Sequence, residues 1–358
     1  MKREFIKNHI SQIDMLIIRL LRNEEDYLKK IFGRMVDNTY IVKRIINKLK
    51  SNKLSTKILL PYITYVSRKI ARQTYQYILY NCKYEEIWQK QFSSVSRLLQ
   101  KHNVNHVFIK ILSKVPSVLM GDIDVLIYDT VDLWKAAVAL SLSGYKLYKL
   151  NILLDHPLKI GAYMPGMEPT IPIDLYPELI GNRRKIVGSK EAVFKRKVIG
   201  SYKQVEFFMP SPEDTIYITA VHAYSHLEIT LAEILQGLNV IKETVHFDWE
   251  YLYNSGRFYG TLDALYTYLS LLNILSNAFF NEKIIDESIL YKYENIWINL
   301  RIRRWLTSLK RLSFPLTIPK YIGCLHSAIY YSLNNVPYMD PRELLYGLMT
   351  HVLMYLSD

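Results

Sequence analysis

The segment Met120-Gly121-Asp122-Ile123-Asp124-Val125-Leu126-Ile127 sets two carboxylates in alternation ahead of an apolar run. Alternate residues of a β-strand point to the same face, so Asp122 and Asp124 are expected side by side at the start of a strand whose remainder is buried. Carboxylates this close repel, and each raises the other's pKa unless a cation lies between them. A hard divalent ion with oxygen ligands suits such a pair, Mg²⁺ first and Mn²⁺ as the alternative. The strand therefore carries a candidate metal site for phosphoryl chemistry.

The hydrophobic pattern around this strand changes twice. Up to about residue 100 apolar residues recur at helical spacing, as in Leu16, Ile17, Leu20 and Leu21, or Ile41, Ile45, Ile46 and Leu49. Breaks are expected near Gly33, near Ser51-Asn52 and before Pro61, with a last helix over 87–100. Short β-branched runs follow at 104–109, 122–128, 146–150, 160–163 and 171–176. Asp132 is the expected cap of a helix ending near Ser143, closed by Gly144. After Pro210-Ser211-Pro212 helical periodicity returns to the end of the chain, with Ser211 as N-cap and Pro212 at the first helical position. The expected fold class is α+β: a mixed-sheet core over 104–209, flanked by helical regions at 1–103 and 210–358.

The formal charge is +13, and up to Asn103 the chain has 21 Lys and Arg against 8 Asp and Glu. The whole excess thus lies in the first third, which suits a polyanion, nucleic acid or nucleotide; solvated helix faces are the other reading. Half of the residues are hydrophobic, which excludes a disordered chain. Lys2, Arg3 and Lys7 precede a segment broken by Asp14, Arg19 and Arg22, unlike a secretory signal. The apolar stretch 262–280 contains Asp263 and many Tyr, Ser and Asn, so a buried helix is expected rather than a membrane span. Cys82 and Cys324 give neither a disulfide framework nor a zinc signature, and a cytoplasmic location is the default.

Two further residues bear on the carboxylate pair. Asp174 stands inside the apolar run 171–176, where a lone carboxylate is costly unless paired or bound to a cation. Lys110 ends the run 104–109, with Ser113 just beyond it; a lysine and a helix N-terminus there would meet phosphates. The order VFIK (107–110), GDIDVLI (121–127), IPIDLY (171–176) resembles the nucleotidyltransferase superfamily that shares the DNA polymerase beta catalytic fold. It is closest to the uncharacterised nucleotidyltransferase branch, which includes toxin-like members of toxin–antitoxin systems. The similarity extends through PSPEDTIYITAVHAYSH (210–226) and HFDWEYLYNSGRFYGTLDALYTYLSLLN (246–273).

The resemblance implies metal-ligand and catalytic roles for Asp122, Asp124 and Asp174, and a phosphate contact for Lys110. It implies an NTP substrate, ATP among them, and an acceptor that is an RNA 3′ end, tRNA-like for example, or a protein hydroxyl. An antitoxin partner is a further implication. The chain departs from the superfamily at Ile111-Leu112-Ser113-Lys114, where a small-residue glycine turn usually opens a helix; only Ser113 can stand in for it. A catalytically silent protein that binds RNA or a partner through its basic helices is the alternative this departure raises. His222 and His226, four apart on one helix face, are expected to line the nucleotide cleft rather than bind zinc. The basic runs at Asn182–Lys185 and Lys195–Lys197, and the cluster of Arg301, Arg303, Arg304, Trp305, Lys310 and Arg311, are candidates for phosphate contacts or solvated faces.

Overall fold

The computed structural model describes residues 53–65, 68–113, 115, 118, 120–149, 159–179, 188–202, 205–226, 229–277 and 281–291, with isolated positions between 26 and 50. The expected helices before residue 45, the loop at Asp155–Pro157, the run Asn182–Lys185 and everything after Tyr291, including the 301–311 cluster, lie outside the described residues.

Pro61 falls inside a 3₁₀-helix, Thr56–Tyr65, after which helix α1 runs as one piece over Arg68–Lys101. The expectation of a separate helix beginning at residue 87 is corrected: no Gly or Pro interrupts residues 68–101. Thr74, Ile78, Asn81, Glu85, Trp88, Phe92, Val95 and Leu99 form its buried stripe. Asn103, at φ 50°, ends it, with Asn103 N–H donating to Gln100 O (3.0 Å) and Val104 N–H to Leu99 O (3.0 Å). That is a Schellman stop with asparagine in the left-handed position.

Strands β1 (His106–Ile109), β2 (Ile123–Ile127), β3 (Lys146–Lys149), β4 (Ile160–Tyr163) and β5 (Ile173–Tyr176) make one sheet in the order β1-β2-β5-β4-β3. Only β2 and β5 are parallel, so the sheet is mixed as expected. Helix α2 (Thr130–Leu142) leads from β2 towards β3, and Gly144 (φ 88°) closes it. Its N-cap is Asp129, which accepts from Asp132 N–H (2.8 Å), rather than Asp132 itself. Asp132 turns inward instead, accepting from Asn105 N–H and pairing with Lys135.

Alternation divides the sheet's two faces. Phe108, Val125, Ile127, Ala162, Ile173 and Leu175 join the main core against α1 and α2. Val107, Ile109 and Leu126 face the other way, towards Leu179, helix α3 (Lys190–Arg196) and Ile218. A hairpin of β6 (Val198–Tyr202) and β7 (Val205–Met209) packs beside β1 and sends Phe207 into the main core. There Phe92 is the hub: its ring lies 4.9 Å from Trp88, 4.8 Å from Phe108 and 5.0 Å from Phe207.

Helices α4 (Pro212–His226), α5 (Leu231–Glu243), α6 (Trp249–Phe258), α7 (Leu262–Leu275) and α8 (Glu287–Tyr291) follow. Ser211 Oγ accepts from Asp214 N–H at the start of α4, and Thr230 with Glu233 forms a capping box on α5. Gly237 allows the Tyr268 hydroxyl of α7 to close on α5, where a Cβ would meet it at 2.3 Å. That hydroxyl donates to Glu233 O. Among the described residues no helix is long and apolar enough to cross a membrane. Arg196 and Lys197, read from sequence as candidate phosphate contacts, are committed internally: Arg196 pairs with Glu213 and Asp214 and stacks on Tyr251, and Lys197 donates to Asn105 Oδ1.

Phe92 is fully buried among three aromatic rings contributed by three elements. Phe92→Ala is expected to cost about 3–5 kcal/mol of stability, read as a fall in the urea midpoint at unchanged m-value.

Candidate metal centre

The parallel register of β2 on β5 sets Asp124 directly opposite Asp174. Neighbouring strands lie about 4.8 Å apart and share side-chain orientation at paired positions, so both carboxylates stand on one face. Asp122, two residues before Asp124, joins them just ahead of the strand. One carboxylate oxygen from each of the three lies within 4.8 Å of the others. Asp124 and Asp174 are buried and Asp122 is exposed, so the cluster opens to solvent at one side.

Helix α1 and the sheet fix the backbone at this rim. Trp88 Nε1 donates to Asp122 O (3.4 Å), the Tyr84 hydroxyl to Gly121 O (3.0 Å) and Gln91 Nε2 to Ile171 O (2.8 Å). Ile123 N–H donates to Pro172 O, tying the entrances of β2 and β5 together. Both carboxylate-bearing strands therefore begin on anchors from one rigid helix.

Two lysines meet the carboxylates. Lys110 would point away from Asp124 if β1 simply continued, because Ile109 is the residue paired with Asp124. Its φ of 59° breaks that alternation, and its Nζ reaches Asp124 Oδ1 at 3.0 Å. The left-handed backbone costs a non-glycine residue roughly 1–2 kcal/mol, and the charged hydrogen bond offsets it. Lys159, immediately before β4, pairs with Asp174 Oδ2 at 2.8 Å with both side chains nearly buried. The Tyr176 ring lies beneath both ammoniums, 4.9 Å from Lys110 Nζ and 4.4 Å from Lys159 Nζ. Its hydroxyl accepts from Lys110 and donates to Asp174.

Burial pushes the Asp124 carboxyl up to about 6; Lys110 opposes this, while Asp122 and Asp174 add to it. Burial alone would lower the Lys110 ammonium, but Asp124, Asp122 and Asp174 outweigh it and the net shift is upward. Burial and then the same carboxylates hold the Tyr176 hydroxyl protonated far above its ordinary range. Three carboxylates against two ammoniums leave an excess of negative charge in a desolvated place. That excess, and oxygens spaced so that an ion with ligands about 2.0–2.6 Å away can bridge them, fit a hard divalent cation.

Lys110 thus joins Asp122, Asp124 and Asp174, while His222 lies outside that cluster. Ser113 sits half-buried in a turn, and the expectation of a helix N-terminus after β1 is corrected: no described residue between Lys110 and Asp122 is helical. Ile111, Leu112, Val115 and Val118 are buried there, and Val118 bridges to Leu54, so these residues serve the core. His222 is half-buried on α4, beyond Thr215, Ile218 and Thr219, which line a small cleft with Lys110. It is not a member of the acidic cluster, and the side chain of His226 is not described. Lys159, Tyr176, Trp88 and Tyr84 escaped the sequence reading. Of these only Tyr176 carried a local signal, its place two residues after Asp174 on the same strand face.

Between the usual carboxyl value of 3.8 and about 6 the folded chain binds a proton at Asp124 that the unfolded chain does not. Metal-free stability from this group therefore rises as pH falls through about 6 towards 4, and Asp124→Asn removes the dependence. A divalent ion requires the deprotonated carboxylate. Mg²⁺ is expected to raise the melting temperature at neutral pH and to lose that effect below about pH 6, as thermal scans in matched buffers would record. No protein-family model and no curated protein sequence matches this chain.

Proposed function

We propose that this chain is a metal-dependent nucleotidyltransferase. It transfers a nucleoside monophosphate from an NTP to an acceptor hydroxyl and releases pyrophosphate. The observation that carries the reading is the Asp124–Asp174 pairing across parallel strands with Asp122 beside it, a three-carboxylate rim open on one side. The resemblance of residues 107–110, 121–127 and 171–176 to the nucleotidyltransferase superfamily points the same way.

In this reading Asp122, Asp124 and Asp174 hold Mg²⁺ or Mn²⁺, which supplies charge neutralisation at the phosphates and acidifies the acceptor hydroxyl. The acceptor oxygen bonds to the α-phosphorus as the bond from that phosphorus to the β-bridging oxygen breaks. The acceptor's proton passes by way of the Asp174 carboxylate to water. Lys110 faces the phosphates and stabilises charge developing on the departing pyrophosphate. Lys159 and Tyr176 hold Asp174 in one orientation, so the reacting groups meet without reorganisation.

A second reading, a silent fold that binds a polyanion, is favoured by the buried apolar residues after Lys110, none of the described ones helical, and by the lysines already paired with Asp124 and Asp174. Titration of Mg²⁺-NTP separates the two: thermal stabilisation supports the transferase, and none supports the silent binder. Incubation with each α-labelled NTP and total RNA or protein is expected to label an acceptor. Asp122→Asn with Asp124→Asn should reduce that labelling by at least about a hundredfold while leaving the melting profile cooperative. Undiminished labelling by the double variant would overturn the assignment.

A further inference from the structure

Tyr77, Tyr80, Tyr84 and Trp88 recur at intervals of three and four along α1 and so form one stripe. The stripe is graded. Trp88 is buried and donates to Asp122 O, and Tyr84, one turn earlier, is half-buried and donates to Gly121 O. Tyr80 and Tyr77 are exposed, at 52% and 38%. At 1.5 Å per residue Tyr77 and Tyr84 stand about 10 Å apart along the axis. The stripe thus runs from open solvent to the backbone of the first carboxylate of the metal centre.

Cations accompany it. Lys50 Nζ lies 4.7 Å from the Tyr77 ring centroid and 5.9 Å from that of Tyr80. Arg72 and Lys83 are exposed on the adjoining flank of α1, and no acidic residue occurs between Arg68 and Tyr84. Exposed aromatic faces interleaved with positive charge are what an unpaired polynucleotide needs: rings for its bases and ammoniums for its phosphates. A duplex, whose bases already stack on one another, cannot use the rings. The lysine beside the rings and the lack of acidic residues along this stretch favour a polyanion over a protein acceptor.

We propose that Tyr77, Tyr80 and Tyr84, with Lys50, form an acceptor track that stacks the terminal bases of a single-stranded polynucleotide and leads its 3′ hydroxyl to Asp122, Asp124 and Asp174. The delivery step rests on the nucleotidyltransferase reading; the binding does not. The track deepens that reading by selecting a polynucleotide end over a protein hydroxyl as acceptor.

The test uses the full chain and fluorescence anisotropy with a short labelled single-stranded RNA, the same sequence as DNA, and a blunt duplex. Tyr77→Ala with Tyr80→Ala is expected to weaken single-strand binding at least about tenfold while duplex binding stays unchanged. Tyr77→Phe with Tyr80→Phe keeps the rings and should bind like the parent. Lys50→Ala should flatten the salt dependence by about one unit of slope. Thermal melts confirm that each variant is folded, both tyrosines being exposed. Single-strand binding by the alanine variant within about twofold of the parent, or no single-strand binding by the parent, overturns the proposal.

The same proteins keep this outcome apart from the catalytic one. If tyrosine-dependent binding is seen and the parent protein labels no acceptor with any NTP, the track stands and the transferase reading falls. If the parent labels an acceptor and the alanine variant labels it equally, the track falls and the transferase reading stands.

Discussion

The register of β2 against β5 places two carboxylates side by side in a part of the sheet from which water is largely withdrawn. Such a pairing is unfavourable by itself, and most of the surrounding architecture answers it. Lys110 abandons ordinary backbone geometry to reach Asp124, and Lys159 gives up solvent to reach Asp174. Tyr176 lies under both ammoniums and spends its hydroxyl between Lys110 and Asp174. A one-residue slip of β2 would carry Asp124 to the opposite face and bring Val125 to the rim, so the alternation of the whole strand protects the arrangement.

Helix α1 couples this rim to the core. One stretch of it stacks Trp88 on Phe92 in the centre of the protein and also anchors Gly121, Asp122 and Ile171 through Tyr84, Trp88 and Gln91. The positions of Asp122 and of both strand entrances are therefore set by core packing as much as by local sequence. Loosening the aromatic hub should relax the carboxylate spacing even though no hub residue touches a carboxylate.

What the sequence revealed follows the range of the forces involved. Asp122, Asp124 and Asp174 were legible because strand alternation and the cost of a carboxylate in an apolar run are local facts. The mixed sheet, the cap at Ser211 and the stop at Gly144 were legible for the same reason. Lys159 was not, because its partner lies fifteen residues away across an antiparallel strand pair. Trp88 and Tyr84 act over more than thirty residues, and helical periodicity marks them only as aromatic. The cap at Asp129 instead of Asp132 shows a long-range contact overriding a local preference, since Asp132 is drawn to Asn105 N–H. No described residue between β1 and Asp122 is helical, and Ile111, Leu112, Val115 and Val118 are buried in the core there, a long-range packing that strand and helix periodicity do not signal.

The charge count at the rim also limits how it can be used. Three carboxylates and two paired ammoniums carry a net charge of minus one. A single divalent cation would turn this into a net positive charge in a poorly solvated place, and a second would raise it further. In the proposed reading a triphosphate bound with both cations would bring the charge back to where it began. The two lysines would therefore couple the binding of cations and polyphosphate. Such a site would hold a divalent ion more tightly with a nucleotide present than without, because each component reduces the electrostatic cost of the other.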